Sequence, residues 1–217
     1  MQTQPGLRLL RESSLPYVIG CDEVGLGALA GPATVGVVVA RRDWKPSSLV
    51  RDSKKLSRSQ RNYLLHNVLQ PPNLEEGWVK HVSIEYCSDH HTFLTRVSDA
   101  FTDLIQQAKS LYPDSLVVLD GLEGTGIPAG YLTFPKADVH VPAVSAASIL
   151  AKVSRDNLMI SHSSRYKGYD WGRNAGYGTP KHLQYLKSLG PTPLHRGWLR
   201  PVQDALLGLH GLNSRPT

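Results

Sequence analysis

Two neighbouring carboxylates, Asp22 and Glu23, interrupt an apolar, β-branched run over residues 17–24, and a glycine-rich turn follows over residues 25–32. An acid in a segment that should face a core is costly unless hydrogen bonds, an arginine or a cation compensates for its charge. Two adjacent acids favour a divalent metal, because hard cations such as Mg²⁺ prefer carboxylate oxygens. The pair therefore indicates a metal site on the first strand.

Two further acids lie on separate predicted elements. Asp120 ends a short buried strand over residues 115–120, and Asp156 lies on a helix that begins after Pro142 and continues to about Ser161. Four carboxylates at one end of a sheet would suit two divalent ions, which hold the attacking water and the leaving oxygen in phosphodiester hydrolysis.

Each acid also has a simpler interpretation. Asp120 is a common type of turn residue at a strand end. Asp156 follows Lys152 by four residues, so the two are compatible with an ion pair on a helix surface. Strand alternation would direct Asp22 and Glu23 to opposite faces unless the strand bends or ends there, which Gly25 permits. Spacing alone leaves both interpretations open.

Hydrophobic periodicity predicts the elements that would position these acids. We predict strands over residues 17–24, 33–41, 78–85, 115–120 and 131–134, and helices from Ser57 or Ser59 to Pro71 and over 89–109, 142–161 and 180–189. Strands that alternate with helices indicate an α/β fold with a mixed sheet. We expect the first dozen residues and the tail beyond about Gly208 to be frayed ends.

Composition limits the class of protein. The 217 residues are 41% hydrophobic and 19% charged, which predicts one folded domain. The net charge of +6 favours a polyanion such as nucleic acid as partner, although simple solubility also explains it. Cys21 and Cys87 form no disulfide framework. The chain shows neither a signal-peptide pattern nor an apolar run long enough for a membrane, so we expect a cytoplasmic protein with no membrane partner.

Six segments, in order, resemble motifs of the ribonuclease HII (type 2 ribonuclease H) family. They are residues 19–32, 52–56, 118–121, 146–156, 176–182 and 190–196. The resemblance covers roughly residues 17–202. It implies a ribonuclease H-like mixed five-stranded sheet flanked by helices, with a helical, substrate-binding extension over about 165–202. We expect a single domain over residues 1–217 and a monomer.

The resemblance also implies an activity. It implies a Mg²⁺- or Mn²⁺-dependent endonuclease with two ions, which cleaves RNA in RNA–DNA hybrids and single ribonucleotides embedded in duplex DNA. Cleavage 5′ to the ribonucleotide would leave 3′-hydroxyl and 5′-phosphate ends. Asp22, Glu23, Asp120 and Asp156 match the family's four catalytic, metal-binding carboxylates.

Substrate contacts follow from the same resemblance. The backbone of Gly25, Leu26 and Gly27 would sense the ribose 2′-hydroxyl, Tyr177 would stack on the sugar at the RNA–DNA junction, and Lys54 would approach the phosphates. Between residues 165 and 200, basic and aromatic residues interleave, a pattern that fits nucleic-acid binding.

The chain departs from the family's pattern over residues 84–97 and at two single positions. Leu26 stands where an arginine is usual, which predicts weaker binding or an altered junction preference. Leu122 stands where an asparagine is usual. Two alternatives stay open: a catalytically weak hybrid-binding protein of this fold, and another nuclease of the superfold without ribose sensing.

The C-terminal segment has two interpretations. Residues 203–209 faintly resemble a sliding-clamp-binding peptide but lack its aromatic residue. An amphipathic terminal helix is the simpler interpretation.

Overall fold

The fold is built on one mixed β-sheet. The computed structural model describes residues 5–46, 50, 56–67, 69–71, 74–85, 87–121, 128 and 130–213. Within these residues one five-stranded sheet has the order β3-β2-β1-β4-β5. Its strands are β1 (Tyr17–Val24), β2 (Ala33–Arg41), β3 (Glu76–Val82), β4 (Ser115–Asp120) and β5 (Leu132–Phe134). Strand β1 pairs antiparallel with β2 and parallel with β4, and β4 pairs parallel with β5.

Helices account for most of the remaining described backbone. They are α1 (Pro5–Glu12), α2 (Arg58–Asn67), α3 (His90–Leu111), α4 (Ala137–His140), α5 (Pro142–Arg165), α6 (Trp171–Asn174), α7 (Pro180–Leu189) and α8 (Arg200–Asn213). None of the helices in the described ranges is long and apolar enough to cross a membrane. The clamp-like residues 203–209 lie within α8.

Most predicted elements are present, and five differ in extent. The predicted bounds of β1, β2, β4 and α7 agree with the structure, whereas the third strand covers Glu76–Val82 instead of residues 78–85. The expectation of frayed ends is wrong for residues 5–12, which form α1, and for residues 209–213, which extend α8. Tertiary contacts stabilise α1, because the Arg42 guanidinium donates to the carbonyl oxygens of Leu10 and Arg11 at its C-terminal end.

The chain divides into two compact units. The first comprises Met1–Val24, Thr34–Lys80 and Leu94–Ser154, and the second comprises Gly25–Ala33, His81–Phe93 and Arg155–Thr217. The core of the first unit contains sheet residues such as Val38 and Val118 and helix residues such as Ala147. In the second unit, a cluster around Trp171 and Met159 and another around Leu186 and Val202 are buried.

Helix α5 lies very close to β1 in the first unit because residue 20 is glycine. A Cβ atom at Gly20 would lie 2.1 Å from the carbonyl carbon of Ala143 and 2.3 Å from the nitrogen of Val144. Both are backbone atoms, so a side-chain rotation cannot relieve the overlap. Glycine at this position therefore sets the spacing between the helix and the strand that carries Asp22.

We predict that Gly20→Ala lowers the free energy of unfolding by about 1–3 kcal/mol, the usual cost of overpacking a core. Gly77→Ala is the matched control, because a Cβ there would lie 3.2 Å from Cδ2 of Leu150, the end of a flexible side chain. Urea unfolding of both variants measures the difference. Equal stability of the two variants would contradict the close approach of α5 to β1.

Candidate active site

Three acidic side chains converge within the first unit. Asp22 lies near the end of β1 and Asp120 is the last residue of β4, which runs parallel to β1. Asp138 lies on the short helix α4. One carboxylate oxygen from each residue lies within 4.8 Å of the other two. The structure therefore brings together two of the four predicted carboxylates and adds Asp138, which the sequence analysis does not select.

Asp138 is positioned by the turn that follows β5. In the parallel β4–β5 pair, Asp120 is in register with Phe134. Lys136 then adopts a left-handed conformation with φ 61°, and Asp120 Oδ1 accepts a hydrogen bond of 2.7 Å from the main-chain nitrogen of Ala137. The sequence does contain a signal for Asp138, because it closely follows a strand whose carboxyl end meets that of β4 at one sheet edge.

Burial and mutual repulsion dominate the electrostatics of this carboxylate cluster. Asp22 is 4% exposed and Asp138 is 3% exposed. Burial raises the pKa of Asp22 to about 7, a hydrogen bond from the Ser148 hydroxyl opposes the increase, and the charges of Asp120 and Asp138 add to it. Three clustered oxygen donors that repel one another fit a hard divalent cation, which would offset their charge.

Glu23 and Asp156 differ in their placement. Strand β1 is regular through Val24, so the side chain of Glu23 alternates with that of Asp22 and is half-buried. The main-chain nitrogen of Glu23 donates to Asp22 Oδ1 at 2.8 Å. Asp156 lies on α5, is buried, and belongs to the second unit.

The glycine turn of the second unit requires glycine at its first position. Gly25 has φ 98°, and a Cβ there would lie 2.2 Å from Arg155 Nε. The Gly25 carbonyl accepts a hydrogen bond of 3.2 Å from Ala28 N, which closes the turn. Leu26 is half-buried and Gly27 is exposed, with no atom within 4 Å of the position of a Cβ.

Two buried arginines bind the carbonyl oxygens of this turn. Arg155 donates from Nε to Pro32 at 2.8 Å, from Nη1 to Ala175 at 2.8 Å and from Nη2 to Ala30 at 3.2 Å.

Arg196 donates to the carbonyls of Leu26, Gly25 and Gly31, with a distance of 2.6 Å from Nη2 to Gly25. Burial and the charge of Arg155 lower the pKa of Arg196 to about 9, so it stays cationic at neutral pH.

Tyr177 belongs to the same hydrogen-bonded assembly. Its half-buried ring lies 5.3 Å below the Arg155 guanidinium, and its main-chain nitrogen donates to the Asn174 carbonyl at 2.9 Å. The preceding residue, Gly176, accepts a hydrogen bond of 2.8 Å from Leu29 N. Lys54, together with Leu122, lies outside the described residues.

The mixed five-stranded sheet flanked by helices defines a ribonuclease H-like fold. The family described as Ribonuclease HII matches residues 19–201. A ribonuclease HII from Latilactobacillus sakei subsp. sakei (strain 23K) is 37% identical over 195 residues, which are 88% of this chain and 73% of that protein. The chain belongs to the ribonuclease HII family and is a ribonuclease H that acts on nucleic acid.

Solved structures show the same fold. The RNase HII of the PCNA:RNase HII complex from Archaeoglobus fulgidus is 24% identical, with a TM-score of 0.64 over 83% of this chain and 93% of that one. Bst-RNase HIII in complex with Mn²⁺ is 18% identical, with a TM-score of 0.61 over 94% of this chain and 73% of that one. Both agree with the predicted fold class.

We predict that Arg155→Met lowers the free energy of unfolding by about 3 kcal/mol, because it leaves three carbonyl oxygens without their donor and each unmet buried bond costs about 1–3 kcal/mol. Arg8→Met is the control, since the Arg8 side chain is 75% exposed and pairs with Glu12 on the surface. Thermal and urea unfolding measure both variants. A change of less than about 1 kcal/mol for Arg155→Met would show that the buried guanidinium contributes little.

Proposed function

We propose that this ribonuclease H depends on Mg²⁺ or Mn²⁺ and cleaves RNA in RNA–DNA hybrids and single ribonucleotides embedded in duplex DNA. The observation that supports this proposal best is the convergence of Asp22, Asp120 and Asp138 at one end of the sheet. Cleavage is 5′ to the ribonucleotide and leaves 3′-hydroxyl and 5′-phosphate ends.

Asp22, Asp120 and Asp138 would hold the cations. Glu23 would join them from the end of β1, two residues before Gly25. When bound there, divalent cations would offset the negative charge of the site and the scissile phosphate and lower the pKa of water. Ser148 orients Asp22 through its hydroxyl hydrogen bond. Asp120 holds Asp138 in place by accepting the Ala137 N–H.

Asp138 replaces Asp156 as the fourth carboxylate of the proposed metal site. Ser148 is the α5 residue that contacts Asp22, and Asp156 follows it by eight residues in the same helix. An α-helix rises about 1.5 Å per residue, so this separation is about 12 Å along the helix axis. Asp138, in contrast, offers an oxygen within 4.8 Å of those of Asp22 and Asp120.

Two of the proposed substrate contacts, the glycine turn and Tyr177, belong to the second unit. The backbone of Gly25, Leu26 and Gly27 senses the ribose 2′-hydroxyl, because glycines let a sugar approach the main chain closely. Tyr177 stacks on the sugar at the RNA–DNA junction with the ring that Arg155 supports. Lys54 approaches the phosphates.

We predict that Asp138→Asn abolishes cleavage of a duplex with one ribonucleotide, whereas Asp156→Asn keeps Mg²⁺- or Mn²⁺-dependent cleavage. Gel assays with each metal or with EDTA measure activity, and calorimetric titration with Mn²⁺ measures binding to the protein alone. Wild-type protein should cut only with metal, and Asp138→Asn should lose the Mn²⁺ binding that Asp156→Asn retains. The reverse pattern would restore Asp156 to the metal site.

The same assay separates the alternative functions. Binding of the ribonucleotide-containing duplex without cleavage at any metal concentration would support a hybrid-binding protein. The reason to test this alternative is Leu26, which stands where the family has an arginine. Equal cleavage of an all-DNA duplex would support a nuclease without ribose sensing.

We predict that Leu26→Arg increases the affinity for a duplex with one ribonucleotide by about tenfold, since a charge-assisted contact with phosphate contributes about 1.5 kcal/mol. Leu26→Met is the control that keeps the size and adds no charge. Fluorescence anisotropy with Ca²⁺ in place of Mg²⁺ measures binding. Equal affinities of the two variants would show that residue 26 makes no phosphate contact.

A further inference from the structure

A buried pair of histidines lies beneath Tyr177 in the second unit. His182 is fully buried on α7 and His195 is 6% exposed, and their Nε2 atoms lie 3.2 Å apart. The ring of Trp171 packs against both, and the ring of Tyr169 lies 5.0 Å from that of His195. The carboxylate cluster does not include this pair.

The hydrogen bonds around the pair assign a proton position to each ring. His195 Nδ1 accepts from Thr192 N at 2.9 Å, so the neutral ring of His195 carries its proton on Nε2. His182 Nε2 lies 3.2 Å from Trp171 Nε1, which can only donate, so His182 Nε2 is an acceptor. The remaining His182 nitrogen, Nδ1, then carries the proton and donates to the Tyr177 carbonyl at 2.9 Å.

These bonds form one directed chain from Thr192 to Tyr177. Thr192 N–H donates to His195 Nδ1, and His182 Nδ1–H donates to the Tyr177 carbonyl. Between them, His195 Nε2–H and Trp171 Nε1–H share the single lone pair of His182 Nε2. Thr179 N donates to the same carbonyl at 2.8 Å. The backbone of Tyr177 is thus held from below by His182 and the ring is held from its face by Arg155.

We propose that His182 and His195, as a neutral hydrogen-bonded pair, are positioning residues that hold Tyr177 in the orientation in which it binds the sugar of the substrate. This inference rests on the proposed contact between Tyr177 and the sugar. The pair acts through the main chain of Tyr177 and touches neither substrate nor cation.

The environment of the pair keeps both rings neutral. Burial lowers the pKa of His195 to about 4, with a further contribution from His182, and burial also lowers the pKa of His182. The neighbouring charged groups are Arg196, which follows His195, and Lys181, whose ammonium pairs with Asp170 at 3.3 Å. Tyr169, on the other side, donates its hydroxyl to the Gly190 carbonyl.

Protonation of either ring would break the chain. A second proton on His195 would lie on Nδ1 and face the N–H of Thr192, and a second proton on His182 would lie on Nε2 and face the Nε2–H of His195. Because folding lowers the pKa of His195, the unfolded state binds more protons than the folded state between about pH 6.5 and pH 4. The contribution of the neutral pair to stability is therefore complete above pH 6.5 and decreases as the pH falls towards 4.

The test compares two substitutions of His182. His182→Leu removes the donor to the Tyr177 carbonyl, whereas the side-chain amide of His182→Asn places a donor close to the position of Nδ1. We predict that His182→Leu raises KM for a duplex with one ribonucleotide about tenfold at nearly constant kcat, the effect of one lost buried hydrogen bond. His182→Asn should restore KM to within about threefold of the wild-type value.

Two further measurements separate this inference from the proposed function. If Tyr177→Ala leaves KM unchanged, the sugar contact itself is absent. If Tyr177→Ala raises KM but His182→Leu does not, the histidines do not position Tyr177. His182→Leu added to Tyr177→Ala should have no further effect on KM.

A spectroscopic measurement on the wild-type protein needs no variant to fold. Nitrogen-15 NMR at pH 7 should show His182 protonated on Nδ1 and His195 protonated on Nε2. The opposite tautomer at either histidine, or a second proton on either ring, would overturn the inference.

Discussion

The second unit depends on two buried guanidinium groups that are bound by main-chain carbonyl oxygens. Arg155 is 0% exposed and Arg196 is 1% exposed, and both guanidinium groups donate to main-chain carbonyl oxygens. The fixed fork of a guanidinium can bind several carbonyls at once, which a lysine ammonium cannot do with the same geometry. The turn at Gly25 and the segment before Tyr177 are therefore parts of one rigid arrangement with Arg155 at its centre.

The first unit presents the opposite electrostatic problem. Asp22, Asp120 and Asp138 accumulate negative charge where burial already disfavours an ionised carboxylate. The fold does not relieve this repulsion by separating the acids, because the parallel pairing of β1 with β4 and the turn after β5 bring them together. A carboxylate cluster of this kind destabilises the protein without a ligand and favours the binding of cations.

Local sequence pattern predicts the sheet and two of the three acids in the carboxylate cluster. Strands such as β1 and β4 are short, β-branched and bounded by turns, so local pattern determines them. Asp138 was not predicted, because its position depends on a left-handed residue at Lys136 and on a hydrogen bond from Ala137 to a residue 17 positions earlier.

For a related reason, local sequence pattern could not predict which polar residues of the second unit are buried. Periodicity marks Arg155 as an ordinary polar position of a helix, and nothing local shows that its partners come from Ala30 and Pro32. The same holds for His182 and His195, whose contact joins positions 13 residues apart. Helix α1 was missed because it is anchored by Arg42, a residue 32 positions after Leu10.

The hydrogen bond between Asp120 and Ala137 has a thermodynamic consequence for ligand binding. Since the main chain of α4 fixes one carboxylate oxygen of Asp120, the side chain occupies a single rotamer as soon as the protein folds. The entropy lost when this side chain is ordered is therefore a cost of folding. Binding of a cation carries no further entropic cost for this side chain. A cation of a different radius would therefore have to be accommodated by the other acids, because rotation of Asp120 would break its hydrogen bond with Ala137.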